Sequence, residues 1–239
     1  MKNYSENYWS KRAKKYDKTS WVKNEGFIDA FLDMIPNQTF SKILEVGIGT
    51  GAVADIMCEK KGPLTGIDIS KEMIDKIKND KITAIVANAH YLPFEENTFE
   101  LIYMRNVIHY LEKPEKVFSE IHRCLKPNGT YLFSQVVPPD DNISSEYDWL
   151  VGRNIHYPTK NEILELFSHF KKIKHNDFVL ERQSIINWLD NTCQNETEKQ
   201  EIINRHRKTS SSYRSLANYT EEKDDIFVNI RHFMISGEK

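Results

Sequence analysis

Apolar residues recur at three- and four-residue spacing near the start of the chain: Tyr4, Tyr8, Trp9, Ala13 and Tyr16, then Phe27, Ala30, Phe31, Met34 and Ile35 ahead of Pro36. This period predicts helices within residues 1–41. Downstream the pattern changes. Residues 43–46 read as a short buried strand, and residues 52–59 return to helical spacing. Strand-like runs follow at 64–69, 82–87, 99–104 and 130–137. Between them lie a helix at 114–125 and another after Ser70, whose hydroxyl suits an N-cap ahead of Met73, Ile74 and Ile77. Lys126-Pro127-Asn128-Gly129 reads as a turn. Strand and helix alternating in this way predict a parallel sheet covered by helices on both faces.

Past Val137 the rhythm loosens. Residues 138–142 (PPDDN) are a loop, and the continuation to Pro158 carries aromatics without clear periodicity. Thr159 suits the cap of a helix reaching Phe170, residues 173–180 read as a sixth strand, and 226–235 as the last. Helices are expected at 184–193 and 196–208. No internal repeat or low-complexity tract interrupts this order.

Composition narrows the function classes. A chain of 239 residues with 39% hydrophobic residues suits one α/β domain with elaborations. The net charge of −2 gives no general drive toward nucleic acid. No apolar run approaches the roughly 20 residues needed to span a bilayer. The basic start, MKNYSENYWSKRAKKYD, has no apolar stretch behind it, which argues against a secretory signal. Cys58, Cys124 and Cys193 are too few, odd in number and far apart for a disulfide framework. There is no C-x-x-C or H-E-x-x-H pairing, so no metal is expected. These features together predict a cytoplasmic protein without membrane partners.

The chemistry concentrates in KILEVGIGTG, residues 42–51. Glycines at a strand-to-helix turn let a ligand approach the backbone without Cβ interference. The spacing here is G-x-G-x-G and not the G-x-G-x-x-G that seats a pyrophosphate, and Glu45 beside it would repel one. Asp68 closes the next strand, where a carboxylate can accept both hydroxyls of a ribose. A nucleoside carrying positive charge fits these two features, and S-adenosylmethionine is such a molecule.

Four ordered motifs, LEVGIGTG, GIDISKEM, AHYLPF and LKPNG, run from residue 44 to 129. In them the chain resembles the class I S-adenosylmethionine-dependent methyltransferases, and more narrowly their small-molecule branch. The resemblance covers the central half of the chain. It implies that Gly47, Gly49 and Gly51 pack under the methionine moiety and that Glu45 helps hold its ammonium, directly or through water. Asp68 would bind the ribose, with Ile69 and Met73 against the adenine. Asn88, before Ala89, stands where relatives usually have aspartate and would meet the adenine amino group through its amide oxygen. Tyr16 resembles the aromatic that closes over the cofactor in many relatives, with ordinary helix packing as the alternative. The product would be S-adenosylhomocysteine.

Residues just past the fourth strand, from Arg105 and Asn106 to Tyr110, are expected to face the ligand crevice. Asn106 is assigned to the cofactor. His109 is a candidate base because its ordinary pKa lies near working pH, and Arg105 could orient an anionic or phenolate acceptor. Lining or packing behind the cofactor pocket is the other reading of His109. His156 is a second catalytic candidate, or a solvated loop residue. The chain lacks the N-P-P-Y of nucleobase amino methyltransferases and a cysteine placed to attack a pyrimidine ring. Arg205-His206-Arg207-Lys208 follows Glu196, Glu198 and Glu201 on one predicted helix and reads as a solvated face.

The expected architecture is a three-layer Rossmann-like α/β sandwich, a seven-stranded mostly parallel sheet with the last strand antiparallel. Residues 1–41 would close over the cofactor, and 42–239 would form the methyltransferase domain. By the resemblance, 138–158 and 181–225 are insertions covering the acceptor, with Arg153, Tyr157, Trp188, Tyr213 and Tyr219 as candidate pocket walls; core packing within the helical cap is the equal alternative for Trp188, Tyr213 and Tyr219. The expected reaction is methyl transfer to O or N of a small molecule, by a monomer or homodimer. The rival readings are an RNA or protein methyltransferase and a cofactor-binding member that transfers no methyl group.

Overall fold

The computed structural model describes residues 8–9, 24–152, 155–193 and 195–239. Tyr16 and Arg153 lie outside the described residues. The parallel core consists of β1 (Ile43–Val46), β2 (Leu64–Asp68), β3 (Ile82–Val86), β4 (Phe99–Arg105) and β5 (Leu125–Val137). Two long strands, β6 (Lys171–Ser184) and β8 (Asp225–Glu238), complete the sheet, with the three-residue β7 (Thr220–Glu222) added to the start of β8. The order is β3-β2-β1-β4-β5-β8-β6, and β8 runs antiparallel to β5, β6 and β7. The last strand is thus antiparallel as expected, and β7 is an eighth strand that so short a polar run did not announce.

β1 is the most buried strand, flanked on both edges, with Ile43 beside Leu64 on one side and Leu101 on the other. All four of its residues, Glu45 included, are buried because helices cover both sides of the sheet. On one face Phe27, Phe31, Met57, Tyr103 and Leu132 pack together; on the other Val117, Ile121, Tyr131, Phe133 and Phe167 do. The LKPNG turn lies inside β5: Leu125 pairs with Phe99 and Thr130 with Leu101, so the four residues between bulge out, with Asn128 at φ +64°.

Local signals explain the helices. Asn24 caps α1 (Glu25–Leu32) by accepting from the Phe27 amide, and Gly51 at φ +83° starts α2 (Ala52–Lys61). Ser70 caps α3 (Lys71–Ile74) through the Met73 amide, although that helix stops before Ile77. Pro114 opens α4 (Pro114–Cys124). A helix α5 (Ser144–Val151) occupies the region expected to be irregular. Thr159 and Glu162 form a reciprocal capping box on α6 (Lys160–Leu166). Then come α7 (Ile185–Thr192), α8 (Glu196–Arg207) and α9 (Ser211–Leu216).

Helices α5, α7, α8 and α9 bury a core of their own: Leu150, Leu189, Ile202, Ile203 and Tyr213, joined to Ile226 and Val228 of β8. Val136, Val151, Ile155 and Tyr157 bridge this cap to the end of β5. Arg205 pairs with Glu201, and Arg207 Nε lies 2.8 Å from Glu221. His206 departs from the solvated face expected of its run. It is 3% exposed, hydrogen-bonds Ile202 O through Nδ1, and burial pushes its pKa down to about 4.

Candidate active site

The sheet order reverses between β1 and β4, the place where open α/β sheets bind ligands beyond the strand carboxyl ends. A cavity of about 1080 Å³ opens there. Its walls come from the β1 turn, the ends of β2, β3 and β4, the residues 105–114 beyond β4, and the loop 155–158 with α6.

The glycine turn and β2 are tied together. Gly49 N–H donates to Asp68 Oδ2 at 2.9 Å, and Ser70 N–H to Asp68 Oδ1 at 2.9 Å. Burial raises the Asp68 pKa above its ordinary value, against the opposing pull of these backbone bonds. Ile69 N–H also draws on this carboxylate, and of its roughly four acceptor positions capacity remains for a ribose hydroxyl in the cavity that Asp68 lines. Ile69, 37% exposed although apolar, and buried Met73 present an apolar surface beside it. Gly47 sits at φ +77°, and a Cβ there would lie 2.4 Å from Val107 Cγ2. Gly47→Ala is therefore expected to cost about 2–4 kcal/mol, from left-handed strain and the clash together, read as a lower urea midpoint. Gly51 serves as the N-cap of α2 and lies outside the cavity lining.

Asn88 Oδ1 is occupied within its own turn, by His90 N–H at 2.9 Å and His90 Nδ1 at 2.9 Å. The oxygen expected to meet the adenine amino group therefore carries two bonds already, while Ala89 lines the wall beside it. Asn106, at φ +53°, accepts from Val136 N–H at 2.9 Å and so braces the end of β4 against β5 while lining the cavity.

Glu45 lies beneath the floor: it is 3% exposed, accepts from Tyr103 Oη at 2.7 Å, and is not part of the lining. Burial pushes its pKa up to about 8, with the Tyr103 hydrogen bond and the Arg105 charge opposing. A direct contact with a ligand ammonium is not available in this arrangement. Arg105 does line the cavity, its guanidinium carbon 4.2 Å from the centre of the Phe27 ring.

His109 lines the far end of the cavity, stacked on Tyr157 at 4.6 Å and 18° and close to Tyr110 at 3.9 Å. Its Nδ1 lies 2.9 Å from Gln135 Nε2. His156 is held differently. Nδ1 lies 2.7 Å from Asp148 Oδ2 and Nε2 3.1 Å from Glu162 Oε1, and the same Asp148 accepts from Tyr157 N–H at 2.9 Å. Partial burial alone would lower the His156 pKa, but the bonds and charges of Asp148 and Glu162 outweigh it and raise it. With both ring nitrogens donating, His156 has no lone pair for base catalysis; it clips the 155–158 loop to α5 and α6.

The other wall candidates divide. Tyr157 is 6% exposed and backs His109, Trp188 packs between the two cap clusters, and Tyr213 is 2% exposed inside the cap core. None of the three is among the residues lining the cavity, and Tyr219 packs at the edge of the cap core. Residues absent from the sequence expectation also line it. Trp9 meets Tyr110 edge-on at 4.6 Å, and Tyr91 stands under Lys116 Nζ at 3.3 Å. In the sequence Trp9 is only one apolar position of a helix, and Tyr91 sits inside the AHYLPF motif with nothing to single it out. Among the described residues no cluster suits a metal ion and no helix is long and apolar enough to cross a membrane.

Residues 44–133 match a family described as a methyltransferase domain. An uncharacterized protein of Methanocaldococcus jannaschii is 30% identical over 180 residues, 70% of this chain and 83% of that protein. The chain belongs to the class I S-adenosylmethionine-dependent methyltransferases. This methyltransferase is also 31% identical over 108 residues to a ubiquinone/menaquinone biosynthesis C-methyltransferase of Desulfotalea psychrophila, covering 43% of this chain and 44% of that one. In fold it is similar to the YcgJ protein of Bacillus subtilis, with a TM-score of 0.80 at 18% identity over 90% of this chain and 99% of that. The cofactor of the methyltransferase is S-adenosylmethionine, and the cavity suits it: a turn that a Cβ would obstruct, a carboxylate with acceptor positions left, and an exposed apolar wall.

Proposed function

We propose that this methyltransferase methylates O or N of a small molecule, in natural-product or secondary metabolism. The observation that carries this reading is the extent of the cavity. One space of about 1080 Å³ reaches from Asp68 and Ile69 to Arg105, His109 and the 155–158 loop, at the upper end of small-molecule sites. It accommodates a nucleoside cofactor at the β2 end and a compact acceptor at the other. Arg205 and Arg207 of the basic run on α8 are engaged in ion pairs within the chain, which argues against that run as a nucleic-acid surface.

S-adenosylmethionine supplies an electrophilic methyl group on a sulfonium, and its loss leaves S-adenosylhomocysteine. The chain itself has three tasks. Asp68, the Gly47–Gly49 turn and Ile69 bind the nucleoside; Trp9, Tyr110 and the cap loop exclude water; Arg105 and His109 orient the acceptor. We further propose that 138–158 and 181–225 act together as the acceptor cover, since their helices share one core.

Calorimetry with S-adenosylhomocysteine, followed by a thermal-shift panel of phenols, carboxylic acids and amines in its presence, tests this. The expected result is cofactor binding and stabilisation by members of the panel. Absence of cofactor binding, or stabilisation by total RNA alone, would sink it.

A further inference from the structure

Gln135 interrupts the apolar run of β5 and has no exposed surface. Its Nε2 lies 3.1 Å from Val136 O and 2.9 Å from His109 Nδ1. A carbonyl oxygen can only accept, so the nitrogen end of the amide must face it, and the reversed amide would place two oxygens together. The same nitrogen therefore also donates to His109 Nδ1. A ring nitrogen that accepts a hydrogen bond carries no proton, so in the neutral ring the proton is on Nε2. A half-turn of the ring about Cβ–Cγ would bring Cδ2, not Nε2, to Gln135, so Nδ1 is the ring nitrogen this bond uses. Tyr157 stacks on the ring at 18°.

We propose that Gln135 is a positioning residue that fixes His109 as the Nε2–H tautomer, so that His109 meets the methyl acceptor as a hydrogen-bond donor and not as a base. An acceptor atom seated against Nε2 must then carry a lone pair, as a carboxylate, a phenolate or an unprotonated amine does. Only this last step rests on the methyl-transfer reading of the cavity; the tautomer does not.

The test is long-range ¹H–¹⁵N correlation of histidine side chains in the full-length protein, with and without saturating S-adenosylhomocysteine. The His109 signals are assigned by their loss in His109→Gln. The expected spectrum has the proton on Nε2 and a bare Nδ1, and a proton on Nδ1 overturns the proposal. Gln135→Glu is the second arm. A carboxylate can only accept, so the proton is expected to move to Nδ1, and a variant that keeps the Nε2–H tautomer shows that Gln135 does not set it. If the buried carboxylate prevents folding, the wild-type spectrum decides alone. Calorimetry of the same wild-type sample judges cofactor binding separately, so failure of that reading and failure of this one are distinguishable.

Discussion

Replacing Asp68 with alanine is expected to weaken S-adenosylhomocysteine binding about 100-fold. A hydrogen bond to a charged partner contributes roughly 1.5–3 kcal/mol, and a ribose hydroxyl would lose such a bond to this carboxylate. The substitution also removes the acceptor that joins Gly49 N–H to the end of β2, so the turn loses its tie at the moment the ligand loses its anchor. Asp68→Asn separates the two effects. An amide keeps one oxygen for the backbone or the ribose but not both, and an intermediate loss of about tenfold is expected. Calorimetric titration of the three proteins at one pH is the measurement. Wild-type affinity within threefold in Asp68→Ala would show that the cofactor's ribose lies elsewhere.

The residues legible from the amino-acid order alone are those whose role is local. Gly47, Gly49 and Gly51 stand where a strand turns into a helix, Ser70 and Thr159 stand one step before helices, and the chain around them dictates what they do. The parallel core is equally plain, because strands buried on both faces leave short, mostly apolar runs. What stays hidden depends on contacts across long separations. Asp148 and Glu162 reach His156 from eight and six residues away, on two different helices, and no spacing rule announces that both ring nitrogens are engaged. Tyr213 in a polar stretch reads equally as a pocket wall or as cap core, and the convergence of α5, α8 and α9 decides for the core. α5 itself is obscured because its buried face is just Leu150 and Val151 near its end. Gln135 does leave a sign: a polar residue inside YLFSQVV must find a partner once the strand is buried.

The stability of the ligand-free protein should fall steeply between pH 5 and pH 8, and Glu45 should be responsible for much of the fall. In the folded chain this carboxyl holds its proton up to about pH 8, because burial under the glycine turn penalises the ionised form more than Tyr103 and Arg105 favour it. Unfolded, it releases the proton near the ordinary value of 4.5. Between those limits unfolding frees a proton, so each rise in pH favours the unfolded chain. The contribution is complete below about pH 4.5 and gone above about pH 8. At about 1.4 kcal/mol per tenfold change in the ionisation constant, the span is on the order of 4–5 kcal/mol, a large share of a typical folding free energy. Glu45→Gln keeps the shape and an acceptor for the Tyr103 hydroxyl but cannot ionise, so its urea midpoint should be nearly level over the same range apart from groups common to both proteins. The difference between the two pH profiles isolates Glu45 from every other titrating group. Parallel profiles would mean that the carboxyl is already ionised in the fold at neutral pH, and that Arg105, 4.2 Å above the Phe27 ring, compensates its charge far more strongly than its burial suggests.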